Sequence, residues 1–465
     1  MARGKKKESA LTPEEKLAQA LVPVEEQPYK VPGNWCWVKL SSLSSLISKG
    51  TTPTGGKTAY IPEGVHFLRV ENINDDGTIS HDNIACVTEE MHTGFLKRSM
   101  LENRDVLVSI AGTLGKTGIV RDVDLPLNTN QAVAFIRLKT EFVNEKYIKA
   151  AIDNPIVQEL LLGKTKVTSI PNLTLEIIGD CPIPLAPTAE QKCIVDRIEY
   201  LFAKLDEAKE KAQSVLDSFE TRKAAILHKA FTGELTAKWR SEQGLGVEHW
   251  RSEYFKDICE KITDGTHHSP PNTDEGEYMY VTAKNIKEYG VDLSNITYVS
   301  KDVHDEIFAR CDVSAGDVLY IKDGATTGIA TVNTITEPFS LLSSVAVLRP
   351  LSGIVDPYYM AYHLNSSETK AMMINNMSGN AITRLTLAKI KNAQITVCSI
   401  DEQQEIVRIL DSLFVKEQQA KEAAEAVLEK IDLLKKSILA RAFRGELGTN
   451  DPTEESAMEL LKTIL

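Results

Sequence analysis

The chain has 465 residues, of which 42% are hydrophobic and 25% are charged, and its formal net charge at pH 7 is −12. This length allows roughly two to four domains of a soluble protein, and no apolar run approaches the ~18 residues of a membrane span. The acidic balance argues against bulk attraction to nucleic acid, but a DNA reader with local basic residues remains compatible with it. Seven cysteines lie far apart without a Cys-x-x-Cys pair, which predicts reduced thiols in the cytoplasm, no zinc site and no disulfide framework.

The chain begins with a leader, residues 1–30, which starts with basic residues and has no apolar secretory core. It is expected to be mobile or loosely docked. We predict that residues 31–184 form a first globular domain. Its runs of β-branched and apolar residues, such as 106–111 and 132–138, indicate strands. Because a helix is expected to follow at 145–162, we predict a mixed α/β or α+β domain.

A long helix is predicted for residues 185–235. Apolar residues recur at alternating spacings of four and three from Ile194 to Ile226, and Arg222 is the one polar residue on this seam. Neither Gly nor Pro interrupts the seam, and such a pattern over several heptads is typical of a coiled coil. At ~1.5 Å per residue, about 40 residues would span roughly 60 Å.

The remaining chain follows the same order of elements. A polar connector, residues 236–247, leads to a second globular domain at 248–397, with strand-like runs and a helix expected at 357–373. A second long helix is predicted for 398–447, followed by a C-terminal tail at 448–465.

The second half of the chain repeats the first. Residues 190–235 reappear as residues 402–447, 212 positions later and without insertion or deletion, and shorter fragments of the globular domains recur at nearly the same offset. Internal repetition of this kind sets the architecture. We therefore predict an α+β protein in which two similar mixed α/β domains are joined by two long helices, with a pseudo-twofold internal repeat.

The two long helices are expected to pair as an antiparallel coiled coil, because each has an apolar seam that must be buried. The alternative is two amphipathic helices that pack separately on their own domains. In the antiparallel register we favour, Arg222 lies beside Glu417, the polar residue of the second seam. A matched pair costs far less than a lone buried charge, although both side chains could instead reach solvent by their long stems.

The sequence offers no convincing catalytic centre. Gly50–Thr58 resembles a phosphate-binding loop but is one residue too long, and Gly112–Thr117 is too short and leads into another strand. His267 and His268 lack a third spaced metal ligand, and no Ser, Cys or His arrangement suggests a nucleophile. We therefore assign no catalytic and no metal-binding residues.

The motifs at the ends of the helices carry a family resemblance. They are Pro32-Gly-Asn-Trp35, Pro182 to Gln191, Ile226 to Leu235, and the second copies Ser399 to Gln403 and Ile438 to Leu447. Together they resemble the specificity subunit of type I restriction-modification systems, the HsdS family, over nearly the whole chain. The chain departs from the pattern where Val397-Cys-Ser-Ile replaces the prolines, and in its additional leader.

The resemblance implies two target-recognition domains, each reading one half of a bipartite double-stranded DNA target, and helices that set the spacer between the halves. It also implies two modification subunits, which bind S-adenosylmethionine and methylate adenine, and two restriction subunits, which use ATP and Mg²⁺. The chain itself would hold no cofactor and would not be an enzyme. The alternative is a coiled-coil scaffold or adaptor that binds proteins rather than DNA, while a nuclease–methyltransferase fusion would need catalytic motifs that are missing.

Base-reading residues are expected in the loops between the shared fragments, where Arg and Lys favour guanine and Asn favours adenine. The candidates are Arg69, Asn72, Lys97, Arg98, Thr113 and Lys116 in the first domain, and Lys284, Asn285, Lys322, Thr326 and Arg384 in the second. The candidates for docking the modification subunits are Glu207, Lys211 and Glu422, on the polar faces of the helices. For every one of these residues the alternative is a solvated surface side chain.

Overall fold

The computed structural model describes residues 11–163, 172–375 and 385–465. The chain divides into a first unit, Met1–Lys211 with Val427–Leu465, and a second unit, Ala212–Ala426. Both passages of the chain from one unit to the other fall inside long helices.

Both helices and strands occur in each half of the described chain. The strands are β1 (Cys36–Lys39), β2 (Ser44–Lys49), β3 (Val65–Leu68), β4 (Ala85–Val87), β5 (Val106–Ser109), β6 (Thr117–Ile119), β7 (Leu127–Thr129), β8 (Val133–Leu138), β9 (Pro182–Leu185), β10 (Arg251–Tyr254), β11 (Cys259–Asp264), β12 (Tyr278–Val281), β13 (Ile286–Lys287), β14 (Gly290–Val291), β15 (Thr297–Val299), β16 (Val318–Ile321), β17 (Ala330–Val332), β18 (Ser340–Leu341), β19 (Val345–Pro350) and β20 (Gln394–Val397). The α-helices are α1 (Pro13–Ala20), α2 (Leu40–Leu43), α3 (Glu89–Thr93), α4 (Glu145–Asp153), α5 (Pro155–Gly163), α6 (Leu175–Gly179), α7 (Thr188–Asp217), α8 (Phe219–Phe231), α9 (Ala237–Glu242), α10 (Phe255–Ile258), α11 (Lys301–Arg310), α12 (Pro357–Asn365), α13 (Ser367–Asn375), α14 (Leu387–Lys391), α15 (Ile400–Ala442) and α16 (Ala457–Ile464).

Three sheets of the first unit recur in the second, which also contains the two-stranded sheet β13–β14. The main sheet has the strand order β2-β8-β5-β6 in the first unit and β11-β19-β16-β17 in the second, with antiparallel neighbours throughout. A three-stranded sheet, β4-β3-β7 or β15-β12-β18, combines one antiparallel and one parallel pair. The antiparallel ladders β1–β9 and β10–β20 complete the match. The prediction of two similar mixed α/β domains is therefore confirmed.

The same ion pair occurs at both main sheets, where a buried carboxylate meets a half-buried guanidinium. Arg137 Nε donates to Asp105 Oδ1 at 2.9 Å, and Arg349 Nε donates to Asp317 Oδ1 at 2.8 Å. Each guanidinium makes a second, parallel hydrogen bond through Nη2, which is the bidentate geometry that makes such pairs strong. These hydrogen bonds raise the pKa of both arginines.

Each globular domain packs against the ends of long helices within its own unit. In the first unit the core includes Ile194 and Ile198 of α7 together with Phe443 after α15. In the second unit the core includes Leu227 of α8 and Ile406 of α15. Burial of these apolar side chains ties each helix end to one domain.

The Glu-Gln pairs of the repeated segment are fully buried at the beginning of α7 and α15. The side-chain oxygen of Gln191 accepts a hydrogen bond from the Asn144 backbone N–H at 3.0 Å, and that of Gln403 accepts from the Asp356 N–H at 2.9 Å. These bonds fasten each long helix to the loop before α4 or α12, because Asn144 and Asp356 are the N-cap residues of those helices. The repeated Glu-Gln motif therefore connects each long helix to its globular domain.

The second long helix, α15, is continuous over 43 residues, which corresponds to roughly 65 Å. The first is not continuous, so the prediction of a single uninterrupted helix is wrong at Ser218, between α7 and α8. The Ser218 hydroxyl donates to the backbone oxygen of Ser214 at 2.6 Å, and Arg222 Nη1 donates to that of Val215 at 3.3 Å. The Arg222 side chain thus satisfies the Val215 carbonyl, whereas the Ser214 carbonyl also keeps its backbone hydrogen bond from the Ser218 N–H at 3.2 Å.

The helices pair in antiparallel fashion within each unit. In the first unit Lys435 Nζ donates to Asp206 at 2.6 Å. In the second unit Arg222 Nε donates to Glu417 Oε2 at 2.8 Å, which confirms the predicted register. The sequence predicts a seam on the second helix that runs from Ile406 to Ile438 at alternating spacings of four and three. This seam is wrong at Ala420, Val427 and Leu434, which are exposed.

We expect the Arg222–Glu417 pair to specify register more than it stabilises. The two side chains are 34% and 20% exposed, so replacing Arg222 alone with Leu should cost about 1–2 kcal/mol, between the values for surface and buried pairs. The double variant Arg222→Leu/Glu417→Leu should recover that loss. Urea unfolding of the wild type, both single variants and the double variant measures the coupling, and additive single effects would contradict it.

The described part of the leader, residues 11–30, docks on the first unit, although most of its residues are exposed. The Val22 N–H donates to the backbone oxygen of Trp37 at 3.0 Å, and Trp37 Nε1 donates to that of Tyr29 at 3.0 Å. The tail also packs on the first unit, where Ala457 and Leu461 of α16 are fully buried.

Candidate nucleic-acid interface

Four segments of the chain make up one edge of the main sheet of the first unit. The loop after β2 joins the end of β7, because the Thr51 N–H donates to the backbone oxygen of Thr129 at 3.0 Å. The segment after β5 joins the turn before β8, because the Ile110 N–H donates to Ala132 at 2.8 Å. We call residues 50–58, 97–98, 110–116 and 130–132 the first loop edge.

The second unit builds the same edge with different residues. The Thr266 N–H donates to Leu341 at 2.8 Å, and the Lys322 N–H donates to Ser344 at 2.9 Å. We call residues 265–273, 309–310, 322–328 and 342–344 the second loop edge.

Glycine is required where each loop leaves its sheet. A Cβ atom on Gly50 would lie 2.1 Å from the backbone oxygen of Asn130, and one on Gly265 would lie 1.9 Å from that of Leu341. No side chain fits at either distance, so a larger residue would push the loop away from the edge. The close approach of backbones fixes the loops on a rigid scaffold, as binding loops require.

The first loop edge presents exposed cations. Lys97 and Arg98 lie exposed on a 3-10 turn, Lys97–Ser99, and Arg98 Nε donates to Thr51 Oγ1 at 3.2 Å. Thr113 is exposed in the β5–β6 loop. Lys116 closes that loop and pairs with Asp75 at 3.0 Å, with 25% of its side chain exposed. These four predicted residues are therefore exposed or partly exposed on segments of the first loop edge.

Arg69 lies on the three-stranded sheet of the first unit, after β3. Its guanidinium covers the ring of Tyr60 at 4.7 Å, and its Nη1 approaches Glu71 at 3.5 Å. The residue is partly exposed. Stacking holds the guanidinium in one orientation but leaves hydrogen-bonding capacity toward solvent.

Asn72 and Asn285 were predicted to contact bases, and the structure corrects this prediction. They are only 5% and 6% exposed. Asn72 Oδ1 accepts from the Arg69 N–H at 3.0 Å, and Asn285 Oδ1 accepts from the Thr282 N–H at 3.0 Å. Both amides therefore close an equivalent turn in their units, and burial removes them from base contact.

Lys322 is also a correction, because its side chain is only 7% exposed. The ammonium lies 3.4 Å from Asp264 Oδ2 and 3.1 Å from Asp323 Oδ2. Arg310 Nη2 lies 2.6 Å from the other carboxylate oxygen, Asp264 Oδ1, and 2.8 Å from His267 Nε2. The second loop edge is therefore a charge network in which Lys322 neutralises a buried carboxylate and supports the loop.

Of the remaining candidates in the second unit, Lys284 and Thr326 are exposed. Arg384 lies outside the described residues. Arg310 was missed by sequence reasoning, although it stands 212 positions after Arg98 and so follows the repeat offset. The offset alone could have identified it.

The predicted docking residues lie exposed on the long helices. Glu207 accepts hydrogen bonds from Lys211 at 2.8 Å and from Lys204 at 3.2 Å, and these bonds lower the pKa of Glu207. Glu422 accepts from Gln418 at 2.8 Å. None of these contacts removes the side chains from solvent, so their charges remain available to a partner.

The described ranges contain no cluster of three or more His, Cys, Asp or Glu that could hold a metal ion. His267, which lacks a third spaced metal ligand in the sequence, contacts Arg310 and Asp264. Across the same ranges no helix has both the length and the apolar character needed to cross a bilayer.

A family model described as the type I restriction modification DNA specificity domain matches residues 32–216 and again residues 248–429. The chain belongs to this family. The two matches cover most of the chain and correspond to the two halves of the internal repeat.

Curated relatives of this family support the assignment. The EcoBI specificity subunit of Escherichia coli is 31% identical over 224 residues, a match that covers 47% of this chain and 46% of that relative. The EcoKI specificity subunit of Escherichia coli K12 is 22% identical over 434 residues, with 90% of both chains covered.

Two solved structures share the fold of this specificity-family chain. The HsdS subunit of Thermoanaerobacter tengcongensis superposes with a TM-score of 0.64 at 20% identity, covering 91% of this chain and all of that one. A second structure, from work on complex assembly and conformational transition of the type I R-M system, gives a TM-score of 0.65 at 20% identity, with 90% and 100% covered.

Proposed function

We propose that this chain is the subunit that reads DNA for a type I restriction-modification complex. Each globular domain would read one half of a bipartite target through its loop edge. The observation that carries this proposal is that the same edge is built twice on the same sheet but bears different charged residues. A repeated scaffold with divergent loops suits two different half-sequences.

The charge distribution supports local rather than bulk DNA binding. The chain has a net charge of −12, yet Lys97 and Arg98 lie adjacent and exposed on the first loop edge. Guanidinium and ammonium groups at base edges confer sequence preference, whereas most of the salt-dependent affinity comes from contacts to phosphates. Modification subunits bound to the helices would supply that phosphate contact.

The partners would carry the chemistry. We infer two modification subunits, which bind S-adenosylmethionine and methylate adenine, and two restriction subunits, which use ATP and Mg²⁺. The chain itself would bind the modification subunits along its helices, fix the spacer between the half-sequences and perform no catalysis. The complex would act in the cytoplasm, where its DNA substrate is.

A gel-shift assay with purified modification subunit tests the proposal. The complex should retain one DNA sequence in the presence of excess unrelated duplex, and this chain alone should bind more weakly. If the chain with its partner shows no preference among random duplexes, it is a protein-binding scaffold and the proposal fails.

Charge reversal on the helices tests the docking role. The triple variant Glu207→Lys, Lys211→Glu and Glu422→Lys should abolish co-purification with the modification subunit, because like charges across an interface cost several kcal/mol. The matched control is Lys301→Glu with Asp305→Lys, which reverses an exposed pair on α11. Circular dichroism should show both variants folded. Unchanged co-purification of the triple variant would show that docking depends on other residues.

A further inference from the structure

One buried carboxylate occurs twice in the repeat, and in the second unit it is fully partnered. Glu402 Oε1 accepts from Arg240 Nη1 at 2.5 Å and from Thr236 Oγ1 at 2.7 Å. Glu402 Oε2 accepts from Trp250 Nε1 at 2.9 Å and from His249 Nε2 at 2.8 Å. Burial alone would raise the pKa of Glu402, but these hydrogen bonds lower it, so it is held as a carboxylate.

In the first unit the equivalent residue, Glu190, is satisfied on one oxygen only. Its Oε2 accepts from Trp35 Nε1 at 2.6 Å, as Glu402 does from Trp250, and from Asn450 Nδ2 at 3.0 Å. Its Oε1 is buried without a hydrogen-bond partner in the described part of the chain. That oxygen corresponds to the one that holds Arg240 in the second unit.

The tail, whose Asn450 contacts Glu190, contains further unpartnered oxygen atoms. Thr449 Oγ1 and Glu454 Oε2, from the tail that packs here, are also buried and without a partner within the described residues. The charged groups that act on Glu190 are Glu454 and Asp451, and both are acidic. A buried carboxylate without a countercharge is costly, and an acidic neighbour adds to that cost.

We propose that Glu190 is held as the neutral acid with its proton on Oε1, and that its ionisation loosens the C-terminal segment, residues 448–465. The proton provides the donor that Oε1 needs toward an acceptor of the tail, and it removes the repulsion from Glu454. Asn34, the neighbour of Trp35, links this site to the C-terminal segment. Its Nδ2 donates to the backbone oxygen of Asp451 at 3.0 Å, and its own backbone oxygen accepts from the Ala457 N–H at 2.9 Å.

The direction of the pH dependence follows from linkage. Burial is the main cause that raises the pKa of Glu190 above its ordinary 4.5, and the acidic neighbours add to it. A raised carboxyl pKa in the packed state means that packing binds a proton. The stabilisation is fully present below pH 4.5 and declines as the pH rises to the raised value, by up to about tenfold in the packing equilibrium per pH unit.

Hydrogen exchange of residues 448–465 between pH 4 and 8.5, corrected for intrinsic exchange rates, measures this equilibrium in the whole chain. The protection of the wild type should fall as the pH rises from 4.5 to the raised pKa of Glu190, and it should then stay level. Glu190→Gln should be at least as protected at pH 8 and should show no such fall, because an amide mimics the neutral acid. The matched control Glu402→Gln should leave this segment unchanged.

A second variant distinguishes this proposal from a folding defect at Glu190. Glu454→Gln removes the acidic neighbour, so the decline in protection should occupy a narrower window that ends at lower pH. If protection in the wild type does not depend on pH, or if Glu190→Gln lowers it tenfold at pH 7, then Glu190 is ionised. Restoration of protection by added KCl or MgCl₂ would identify a bound cation and overturn the proposal.

Discussion

Replacing Arg240 with methionine is expected to destabilise the second unit by about 3–5 kcal/mol, because it leaves a buried carboxylate without its countercharge. Arg240 is 6% exposed, Glu402 is fully buried, and the guanidinium bonds both Glu402 and Thr236. The hydrogen bonds from His249 and Trp250 would remain, which places the expected loss at the lower end of the range. Methionine retains most of the apolar volume, so the effect reports charge.

Urea unfolding, monitored by tryptophan fluorescence, measures that loss, because Trp250 lies beside Glu402. The matched control is Arg251→Met, because Arg251 is 65% exposed and pairs with Glu253 at the surface, and it should change stability by less than about 0.5 kcal/mol. The pKa of Glu402 is lowered from its ordinary 4.5 in the folded state. The ionised carboxylate therefore stabilises the wild type above pH 4.5, and this stabilisation is lost as the pH falls through the lowered pKa. A loss under about 1 kcal/mol for Arg240→Met would contradict the ion-pair role.

Substituting Arg98 with alanine is expected to relax base preference in one half of the target by about 1–3 kcal/mol, which is about 5- to 150-fold in discrimination. Arg98 is exposed on the first loop edge, and its contact with Thr51 orients the guanidinium. A bidentate guanidinium distinguishes guanine from other bases, whereas an ammonium at the same place provides charge without that fork. Arg98→Lys should therefore retain affinity and lose preference.

Competition methylation on targets that differ at single base pairs measures this preference. The half-sequence read by the second unit should be unchanged in both variants, so it provides the internal control. An equal loss on every sequence would instead assign Arg98 to a phosphate.

The repeat in the sequence predicted the repeat in the structure, because residues that fill equivalent core and seam positions are constrained to the same types. Arg222 and Glu417 could be paired from the sequence alone, since a lone charge in an apolar seam needs a partner. The break at Ser218 could not be predicted, because neither Gly nor Pro marks it. It depends on a serine hydroxyl and an arginine that hydrogen-bond to helix carbonyls.

The site was less predictable, because residue type does not reveal burial. Asn72 and Lys322 have side chains suited to base contact, yet the first closes a turn and the second neutralises Asp264. Their roles depend on three-dimensional neighbours that are distant in the chain. Arg310 could have been identified from the sequence, because the repeat offset of 212 residues makes it the equivalent of Arg98.

Mapping methylated adenines across a genome is the most direct measurement of whether each domain reads one half of the target. The chain should be expressed with its modification subunit, first as the wild type and then with residues 248–397 replaced by the corresponding segment of the EcoKI specificity subunit. We expect a two-part motif with a fixed spacer in the wild type, and in the chimera one part unchanged and the other exchanged. A single continuous motif, or a chimera in which both parts change, would contradict independent reading by the two domains.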